Sequence, residues 1–438
     1  MTAETLARAI CRTLRERGFA AYLVGGCVRD LLLGRAPVDF DVATDARPEA
    51  LVEIFPDSGL VGAHFGVVLV RDGGAQVEVA TFRSDRSYSD GRRPDAVEFQ
   101  TDPREDALRR DFTINSLFLD PESGHVLDFT GGEPDLRAGV IRAIGEPRQR
   151  FAEDHLRLLR AVRFAARLGF VIEPATAAAI RESAGWIRSV SAERVRDELT
   201  RILVEGGARR GFEELDDLAL LPQVLPEIAA MRGVEQPPEF HPEGDVWIHT
   251  LLMLEDLREP SLTLAWGVLL HDVGKPPTFR VAERIRFDGH VDLGVEMADA
   301  ILTRLRFSTD DALQVKALIA NHLRFKDAPR MKESTLRRFL RQDRFEEHLE
   351  LHRLDCLSSH RRLDNYEFVR SRWVALSEEQ LRPALLVNGR DLIAMGYTPG
   401  PRFREALHAL EDGQLEGKIL TREGAEQFVR QWFDEHGG

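Results

Sequence analysis

Cysteine is scarce in this chain, and its scarcity excludes two kinds of protein. The 438 residues include three cysteines, Cys11, Cys27 and Cys356, which are widely separated and odd in number. A disulfide framework or a thiolate zinc site needs grouped cysteines, so neither is expected. Few and scattered cysteines are typical of a reducing compartment, and we therefore expect a cytoplasmic protein.

Long apolar segments are also missing from the sequence. No uninterrupted apolar run approaches the ~20 residues that a transmembrane helix needs. The N-terminus lacks the charged-then-apolar pattern of a signal peptide, so we expect no membrane partner. A chain of 438 residues is too long for one hydrophobic core, and two to four domains are expected.

Positive charge is in short supply. The chain has 59 Lys and Arg against 73 Asp and Glu, which gives a formal net charge of −14. This total, taken alone, argues against a nucleic-acid-binding protein. The arginines are nevertheless concentrated in two stretches, 148–167 and 324–372. Each stretch is either a solvated helical face or a surface that binds RNA, and the sequence leaves both open.

Two aspartates near the N-terminus are the strongest chemical feature of the chain. Asp39 and Asp41 lie on a predicted strand within the segment LVGGCVRDLLLGRAPVDFDVATD, residues 23–45. Residues i and i+2 of a strand point to the same face, so the two carboxylates project side by side. Carboxylate oxygens in this arrangement suit one or two hard divalent cations. Glu78, on a later predicted strand, is either a third metal carboxylate or a glutamate on an edge strand.

The residues that precede these aspartates are typical of a phosphate site. Residues 21–24 predict a strand, and a helix is predicted over 27–33 after the turn at Gly25 and Gly26. The glycines allow the backbone to approach a phosphate closely, and the helix N-terminus and Arg29 add positive potential. The segment as a whole predicts a site for a metal-bound triphosphate, arranged for in-line attack on phosphorus.

Two further segments carry arginines at positions suited to a nucleotide. The motif RRDFTIN starts at Arg109 and includes Arg110, and two arginines before a strand can neutralise phosphate charge during phosphoryl transfer. Later, four charged residues recur every three positions on one face of a predicted helix. They are Asp154, Arg157, Arg160 and Arg163.

Asp154 and Arg157 have two interpretations. An acid beside an arginine on one helix face is commonly an ion pair. The alternative follows from their chemistry, since Asp only accepts and Arg only donates hydrogen bonds. Together they complement the pairing edge of cytosine or adenine, whereas guanine and uracil place a carbonyl where Asp154 needs a donor.

In their order along the chain, these motifs resemble those of class II tRNA nucleotidyltransferases, the family of CCA-adding enzymes and bacterial poly(A) polymerases. GGEPDL at 131–136 and SAERV at 191–195 resemble two further motifs of that family. The resemblance implies an α+β fold, in which a polymerase-beta-like head with a mixed sheet and helices precedes an all-α neck, an HD-type body and a tail. The expected ranges are 1–140 for the head, 141–222 for the neck, 223–375 for the body and 376–438 for the tail.

The resemblance also implies an activity. It is template-independent addition of C, C and A to tRNA 3′ ends from CTP and ATP, with Asp39 and Asp41 holding Mg²⁺. Arg110 is expected to contact the nucleotide phosphates, and Asp154 with Arg157 to act as an amino-acid template for the base. The same family resemblance implies that Arg160 and Arg163 hold their helix against the head and the phosphates.

Residues 82–99 predict a long polar loop, and long loops in compact domains are often functional. In the family, the loop at this position helps the site to change from CTP to ATP. Its full length favours complete CCA addition over CC-only addition. A-only addition and poly(A) tailing use the same head chemistry and remain alternatives, as does a catalytically silent RNA-binding protein.

A second set of residues resembles the HD superfamily, which hydrolyses phosphate esters with bound metal. It begins after a predicted apolar helix at 262–270, with the string HDVGK. The predicted ligands of a second divalent metal are His249, His271, Asp272, His290, His322 and Asp355. The alternatives are a degenerate HD fold that serves as a tRNA platform, and an HD phosphohydrolase whose head is inert. The oligomeric state, monomer or homodimer, is left open.

Overall fold

The computed structural model describes residues 1–60, 66–86 and 96–436. The chain divides into two compact units, one of residues 1–229 with 304–306 and the other of residues 230–303 with 307–438. The division at 229/230 falls within the proline-rich stretch 222–242, where the sequence predicts a boundary. The four finer domain ranges remain predictions.

The first unit begins with a mixed sheet. Across the described residues it has seven strands in the order β3-β4-β5-β2-β1-β8-β9, while β6 and β7 pair separately. The strands are β1 (Ala21–Val24), β2 (Asp41–Thr44), β3 (Ser58–Leu60), β4 (Val67–Asp72), β5 (Ala75–Thr81), β6 (Arg83–Arg86), β7 (Ala96–Phe99), β8 (Phe118–Leu119) and β9 (Val126–Leu127). Strand β2 runs parallel to β5 and antiparallel to β1. The predicted strands at 66–70 and 77–81 are confirmed as β4 and β5.

The predicted loop at 82–99 is in part a two-stranded ribbon. Its two ends form the antiparallel pair β6 and β7, with Arg83 opposite Phe99. The centre of the predicted loop, residues 87–95, lies outside the described residues. The prediction that a full-length loop favours complete CCA addition therefore stays a prediction.

Five helices accompany the head sheet in the described ranges. They are α1 (Ala3–Glu16), α2 (Gly26–Leu32), α3 (Pro48–Ile54), α4 (Pro103–Leu108) and α5 (Gly132–Ala138). Apolar residues at helical spacing give α1 one buried face, with Leu6, Ile10 and Leu14 at most 4% exposed. Phe82 and Phe118 pack edge to face in the core beside the sheet.

The neck is helical except for one short strand pair. Its helices are α6 (Pro147–Glu153), α7 (Arg157–Leu168), α8 (Pro174–Ser183), α9 (Ala192–Val204), α10 (Ala208–Asp217), α11 (Leu221–Val224) and α12 (Pro226–Ala229). Strands β10 (Val140–Ile141) and β11 (Val171–Ile172) pair in parallel, a feature that the sequence did not indicate.

The predicted continuous helix through Asp154 is incorrect at its N-terminal end. Helix α6 ends at Glu153 and α7 begins at Arg157. Asp154 lies between them with extended backbone, φ −144° and ψ 106°. Asp154 therefore does not share a helix face with Arg157, although Arg157, Arg160 and Arg163 do lie on α7.

The second unit is helical, with one two-stranded hairpin of β12 (Arg280–Val281) and β13 (Ile285–Arg286) in its described part. Its helices are α13 (Val246–Glu255), α14 (Leu262–Leu270), α15 (Lys275–Thr278), α16 (His290–Arg304), α17 (Thr309–Asn321), α18 (Glu333–Leu340), α19 (Phe345–Ser358), α20 (Asp364–Val374), α21 (Glu378–Leu381), α22 (Gly389–Ala394), α23 (Pro401–Leu415) and α24 (Arg422–His436). The predicted helix at 262–270 is confirmed as α14. In the described ranges no helix combines the length and apolarity needed to cross a membrane.

Most arginines of the two basic stretches are neutralised within their own unit. In the first stretch, Arg160 pairs with Asp111 and Arg163 with Glu198. In the second, Arg338 and Arg341 both pair with Glu411. Arginines that are paired in this way stabilise the packing between helices. Their charge is partly neutralised by the acidic partner, so they attract RNA phosphates less strongly. The structure thus favours the interpretation of these stretches as structural faces.

Candidate functional site

The predicted aspartates stand together with a third carboxylate. Asp41 is the first residue of β2, whereas Asp39 lies two residues before the strand begins. The prediction that one strand carries both aspartates is therefore wrong for Asp39. The parallel register of β2 and β5 places Glu78 directly beside Asp41. Glu78 is not on an edge strand, since β5 has β2 on one side and β4 on the other. Asp41 and Glu78 are therefore neighbours in the sheet, and Asp39 is near enough to repel Asp41, although the oxygen atoms of the three carboxylates are not all within 4.8 Å of one another. We call these three residues the head carboxylate cluster.

The electrostatics of this cluster favour a bound cation. Burial, followed by repulsion from Glu78, raises the pKa of Asp41 from 3.8 to about 6, while Arg110 opposes the shift. Asp39 adds further repulsion. Oxygen donors that repel one another are a donor set that fits a hard divalent cation such as Mg²⁺ or Ca²⁺. The residues present thus meet the chemical requirement of the metal site predicted from the sequence.

Gly25 and Arg110 adjoin this cluster. Gly25 has φ +74°, and a Cβ on it would lie 3.2 Å from Arg110 Nη1 and 3.8 Å from Asp41 Oδ2. A side chain at this position would thus intrude between the arginine and the acid. Arg110 is fixed by Asp106, 3.0 Å from Nη2, and its guanidinium lies 5.4 Å from the Phe118 ring centroid. The arginine is held in place beside the carboxylates.

Arg29 is directed into the protein. Its side chain is 3% exposed, pairs with Asp30 at 2.8 Å and donates from Nη1 to Asn115 Oδ1 at 2.7 Å. These contacts hold α2 against the RRDFTIN segment. The positive charge of Arg29, which the sequence pattern assigns to phosphate binding, is instead paired with Asp30. A Cβ on Gly26 would make ordinary contact with Arg29 at 3.5 Å. Phosphate binding by Gly26 and Arg29 stays a prediction.

Asp154 and Arg157 are each held by another residue. Asp154 Oδ2 lies 2.9 Å from Arg194 Nη2, and Arg157 Nη1 lies 2.5 Å from Glu153 Oε2. Arg157 also donates to the carbonyl oxygens of Arg150 and Arg109, at 2.9 and 3.2 Å. Both side chains lie close to the chain break between α6 and α7. A base that used them would have to replace Glu153 and Arg194 as partners.

Arg160 and Arg163 connect α7 to two different neighbours. Arg160 binds Asp111 of the RRDFTIN segment at 2.6 Å, and so ties the helix to the head as predicted. Burial would raise the pKa of Asp111, but Arg160 outweighs it and holds that pKa well below its usual range. Arg163 binds Glu198 of α9 at 2.7 Å, within the neck. The prediction that Arg163 holds α7 against the head is therefore wrong, because its partner Glu198 lies in the neck.

In the second unit, all six predicted metal ligands come together. Among the described residues, their donor atoms form two groups, each within 4.8 Å. The first is His249, His271 and Asp355, and the second is Asp272, His290 and His322. A neighbouring group, His241, Glu243 and His249, shares one histidine with the first. His249, His290 and Asp355 lie on α13, α16 and α19. The other three follow directly after a helix, His271 and Asp272 after α14 and His322 after α17.

The histidine rings are oriented with Nε2 toward the centre of the cluster. Nδ1 of His271, His290 and His322 each faces the carbonyl oxygen three residues earlier, at 2.7 to 2.8 Å. The Nε2 atoms of His271 and His290 are buried and make no well-directed hydrogen bond within the described residues, although that of His271 lies 3.1 Å from Asp272 Oδ2. Buried, unsatisfied ring nitrogens next to carboxylates fit a transition metal such as Zn²⁺, Mn²⁺ or Fe²⁺.

Protonation differs between the histidines. Burial lowers the pKa of His322 to about 4, so this ring is neutral, the form that binds metal. Burial would also lower the pKa of His249, but the carboxylates of Asp355 and Glu243 outweigh it and raise that pKa to about 9. Asp272 keeps a depressed pKa because His271 and Lys275 outweigh its burial.

This cluster lies at the wall of a cavity of about 1130 Å³. Asp272, His290, His322 and Asp355 contribute to the lining. Five Lys and Arg residues line it as well. Lys275 pairs with Asp272, whereas four have no acidic partner among the residues that the structure describes; they are Arg284, Arg286, Lys326 and Arg362. Unpaired cations beside metal ligands favour an anionic ligand.

Sequence reasoning missed several residues of both sites. The missed residues are the partners of the charged residues in the neck and of one histidine in the second unit. They are Glu153 with Arg157, Arg194 with Asp154, Asp111 with Arg160, Glu198 with Arg163, and Glu243 with His249. Each pairs with a residue that the sequence singles out, but most lie 35 to 49 positions away from their partner. Only Glu153, four residues before Arg157, could have been found from helical spacing.

Comparison with known families matches three consecutive parts of the chain. The family described as "Poly A polymerase head domain" matches residues 21–142. "Probable RNA and SrmB- binding site of polymerase A" matches residues 169–232, and "HD domain" matches residues 245–358. The first range contains the carboxylate cluster with Arg110, and the third contains all six histidine and aspartate ligands of the second unit.

Two curated relatives illustrate the similarity. The CCA-adding enzyme of Ligilactobacillus salivarius is 37% identical over 264 residues, which are 59% of this chain and 65% of the relative. The A-adding tRNA nucleotidyltransferase of Deinococcus radiodurans is 34% identical over 441 residues, 95% of this chain and 96% of the relative. The first curated relatives are matched over 53% to 65% of their own length.

Solved structures share the fold. The Bacillus stearothermophilus CCA-adding enzyme, in a crystal structure with CTP, has a TM-score of 0.74 at 27% identity, with 98% of both chains covered. The Thermotoga maritima CCA-adding enzyme, complexed with tRNA, has a TM-score of 0.60 at 21% identity, and this likeness concerns the fold alone. The α+β architecture expected from the sequence is confirmed.

Proposed function

Because this chain belongs to the tRNA nucleotidyltransferase family, as its near full-length similarity to one member shows, we propose that it adds C, C and A to tRNA 3′ ends from CTP and ATP. The observation that carries this proposal is the cluster of Asp39, Asp41 and Glu78 beside Arg110. A carboxylate cluster with an adjacent fixed arginine is suited to a metal–triphosphate complex. tRNA, CTP and ATP are the partners that the proposal implies.

Each group of the head has a role in this reaction. Asp39 and Asp41, with Glu78 next to them, would hold Mg²⁺, which when bound lowers the pKa of an attacking hydroxyl and offsets charge on the leaving pyrophosphate. Arg110 neutralises charge on the nucleotide phosphates, since Asp106 and Phe118 keep it beside Asp41. Gly25 leaves the space between Arg110 and Asp41 open.

The neck selects the base in this proposal. Asp154 accepts a hydrogen bond from the amino group that cytosine and adenine share, and Arg157 donates to the adjacent ring acceptor. Both residues lie next to the break between α6 and α7, where the backbone of Asp154 is extended. Arg194 and Glu153 hold them when no base is present. Arg160 keeps this part of the neck attached to the head.

The test is incubation with tRNA transcripts that lack CCA, CA or only A at the 3′ end. Each transcript is given labelled CTP, labelled ATP or both, and product lengths are read on a sequencing gel. Complete CCA addition predicts extension of all three transcripts to the same final length. Growth far beyond that length would indicate poly(A) tailing and overturn the proposal.

A-only addition is a second candidate, because the relative matched over 96% of its length is an A-adding enzyme. It predicts labelling by ATP of the transcript that lacks only A, and no incorporation of CTP into any transcript. The same experiment thus separates the two activities.

The second unit supports a further activity, metal-dependent hydrolysis of a phosphate ester. The observation in its favour is the buried ligand cluster on a cavity with four unpaired cations. Its six side chains would hold one or two divalent metals, which when bound supply an activated water and polarise a phosphoryl oxygen. Hydrolysis of p-nitrophenyl phosphate and its bis ester by Mn²⁺-loaded protein, compared with His271→Ala, tests this candidate. Equal rates in the two proteins would exclude it.

A further inference from the structure

Glu243 occupies an unusual position next to the ligand cluster of the second unit. It lies just before α13, and its side chain is 7% exposed. One oxygen, Oε1, lies 2.8 Å from Nδ1 of His249 and 2.8 Å from Nδ1 of His241. Both ring Nδ1 atoms are thus within hydrogen-bond distance of one carboxylate oxygen, which can only accept while the carboxylate is ionised.

The support for His249 differs from that of the other histidines in the cluster. Nδ1 of His271, His290 and His322 each rests on a neutral backbone carbonyl of its own helix or turn. The corresponding carbonyl for His249, that of Val246, accepts the hydroxyl of Thr250 at 2.9 Å instead. His249 therefore takes a charged partner from outside α13. Of the four rings, it alone rests on a carboxylate.

This difference has a consequence for metal binding. When Nδ1–H of His249 is held by Glu243, its Nε2 is directed toward Asp355, 3.3 Å away, and toward the group that includes His271. A carboxylate on the second ring nitrogen fixes the tautomer and makes the first nitrogen a stronger donor. A neutral carbonyl gives the same orientation with less gain in basicity.

We propose that Glu243 is a positioning residue for His249, and that it makes the half of the cluster formed by His249, His271 and Asp355 the tighter of two metal sites. The proposal rests on the metal-binding function proposed above for the second unit. His241, on the outer side of Glu243, keeps the carboxylate aimed at His249. Both contacts of Glu243, with His241 and with His249, are 2.8 Å long, which is the length of a hydrogen bond. We therefore treat Glu243 as a hydrogen-bond acceptor of the two rings and not as a metal ligand.

The experiment measures metal affinity in the full chain. Wild type, Glu243→Ala, Glu243→Gln and Glu235→Gln are stripped with chelator and titrated with Co²⁺, whose visible absorption reports nitrogen and oxygen coordination. Glu235 is exposed and lies in the same segment away from the cavity lining, which makes it the matched control. Glu243→Gln keeps the shape of the side chain and removes its charge, so it separates charge from packing.

We expect two ions bound to the second unit in the wild type and in Glu235→Gln, in addition to the ion proposed for the head carboxylates. In Glu243→Ala the affinity for one ion falls by about 10- to 100-fold, and the absorption of that ion shifts, while the second ion is unaffected. Glu243→Gln gives an intermediate loss for the same ion. Melting temperatures of the metal-free proteins show whether each variant has folded. If Glu243→Ala has not folded, the comparison of Glu243→Gln with the wild type is the test.

Three results would overturn the proposal. Equal affinity of wild type and both Glu243 variants would show that the carboxylate does not support a ligand. A third ion in the second unit that is lost in His241→Ala would show that His241, Glu243 and His249 bind metal themselves. A wild type that binds no Co²⁺ would remove the metal function of the second unit as well, whereas a failure confined to Glu243 leaves that function standing.

Discussion

The clusters proposed to hold metal in the two compact units are built in contrasting ways. In the head, Asp39 and Glu78 are exposed and the donors are all carboxylate oxygens. In the second unit, His249, His271 and Asp272 are at most 1% exposed, and imidazole nitrogens predominate. The first arrangement suits a cation that keeps several waters and arrives with a nucleotide, as Mg²⁺ does. The second suits a metal retained between reactions.

The contrast shows how the surroundings of a carboxylate determine its use. Asp41 has a raised pKa because burial and Glu78 both disfavour its charge. Asp272 is more deeply buried, yet its pKa is depressed because His271 and Lys275 surround it with positive charge. The head cluster therefore needs an external cation to offset its repulsion. In the second cluster, Lys275 lies 2.7 Å from Asp272 and offsets part of its charge.

Replacing Asp41 by Asn has the largest expected effect. The substitution removes one charged ligand and leaves the shape of β2 intact, so nucleotide incorporation into tRNA should fall by about 10³-fold or more. Asp72→Asn, at an exposed position on the neighbouring hairpin, is the matched control and should keep wild-type activity. Incorporation of labelled CTP and ATP is the measurement. Full activity in Asp41→Asn would remove the basis for treating the head as the transfer site.

Loss of base selection is the next largest effect. Asp154→Ala with Arg157→Ala removes the proposed donor and acceptor, so the preference for CTP and ATP over GTP and UTP should fall by about 10- to 100-fold. The ratio of kcat/KM for the four nucleotides measures it. As a control, Arg194→Ala frees Asp154 from its ion pair and should keep the preference. If the double variant still rejects GTP and UTP, the base is selected elsewhere.

Local patterns predicted much of the head. Apolar runs located β4 and β5, and the strand that begins at Asp41 was predicted, although Asp39 lies outside it. The α14 helix was predicted with its observed bounds because apolar residues fill it. These features depend on neighbours in sequence, and a single chain therefore contains enough information to predict them.

Features that depend on distant partners could not be predicted in this way. Arg29 looks like a phosphate ligand until Asn115, 86 positions later, is seen to bind it. The break at Asp154 lies in a strongly helical sequence, and Arg194 stabilises it from 40 positions away. The six ligands of the second unit were predicted through family resemblance. Glu243 has no motif of its own, since its role appears only when α13 brings His249 next to it.

The affinity of the head carboxylates for a divalent cation should depend on pH. The pKa of Asp41 is raised above its unfolded value, so the stability contributed by its neutral form is fully present below pH 3.8 and is lost as pH rises through about 6. Metal needs the ionised form. Affinity of the head for Mn²⁺ should therefore fall by about tenfold between pH 7 and pH 5.

Electron paramagnetic resonance of Mn²⁺ with a protein that carries both His271→Ala and Asp272→Ala, which removes one ligand from each group of the second unit, measures this affinity at the head. Asp41→Asn in the same background should bind weakly at both pH values, because the titrating group is gone. A tenfold loss that persists in Asp41→Asn would assign the pH dependence to Asp39 or Glu78 instead.

The smallest effect on incorporation is expected from His271→Ala. The residue belongs to the second compact unit, and independent sites contribute additively, so incorporation into tRNA should stay within about twofold of wild type. The same variant should lose tightly bound metal, measured by elemental analysis after gel filtration, because Nε2 of His271 is a member of the tighter group. Intact incorporation with lost metal would establish that the clusters work separately. A large loss of incorporation would instead mean that nucleotide transfer needs the metal of the second unit. The head carboxylates and the histidine-rich cluster could then no longer be assigned to two separate reactions.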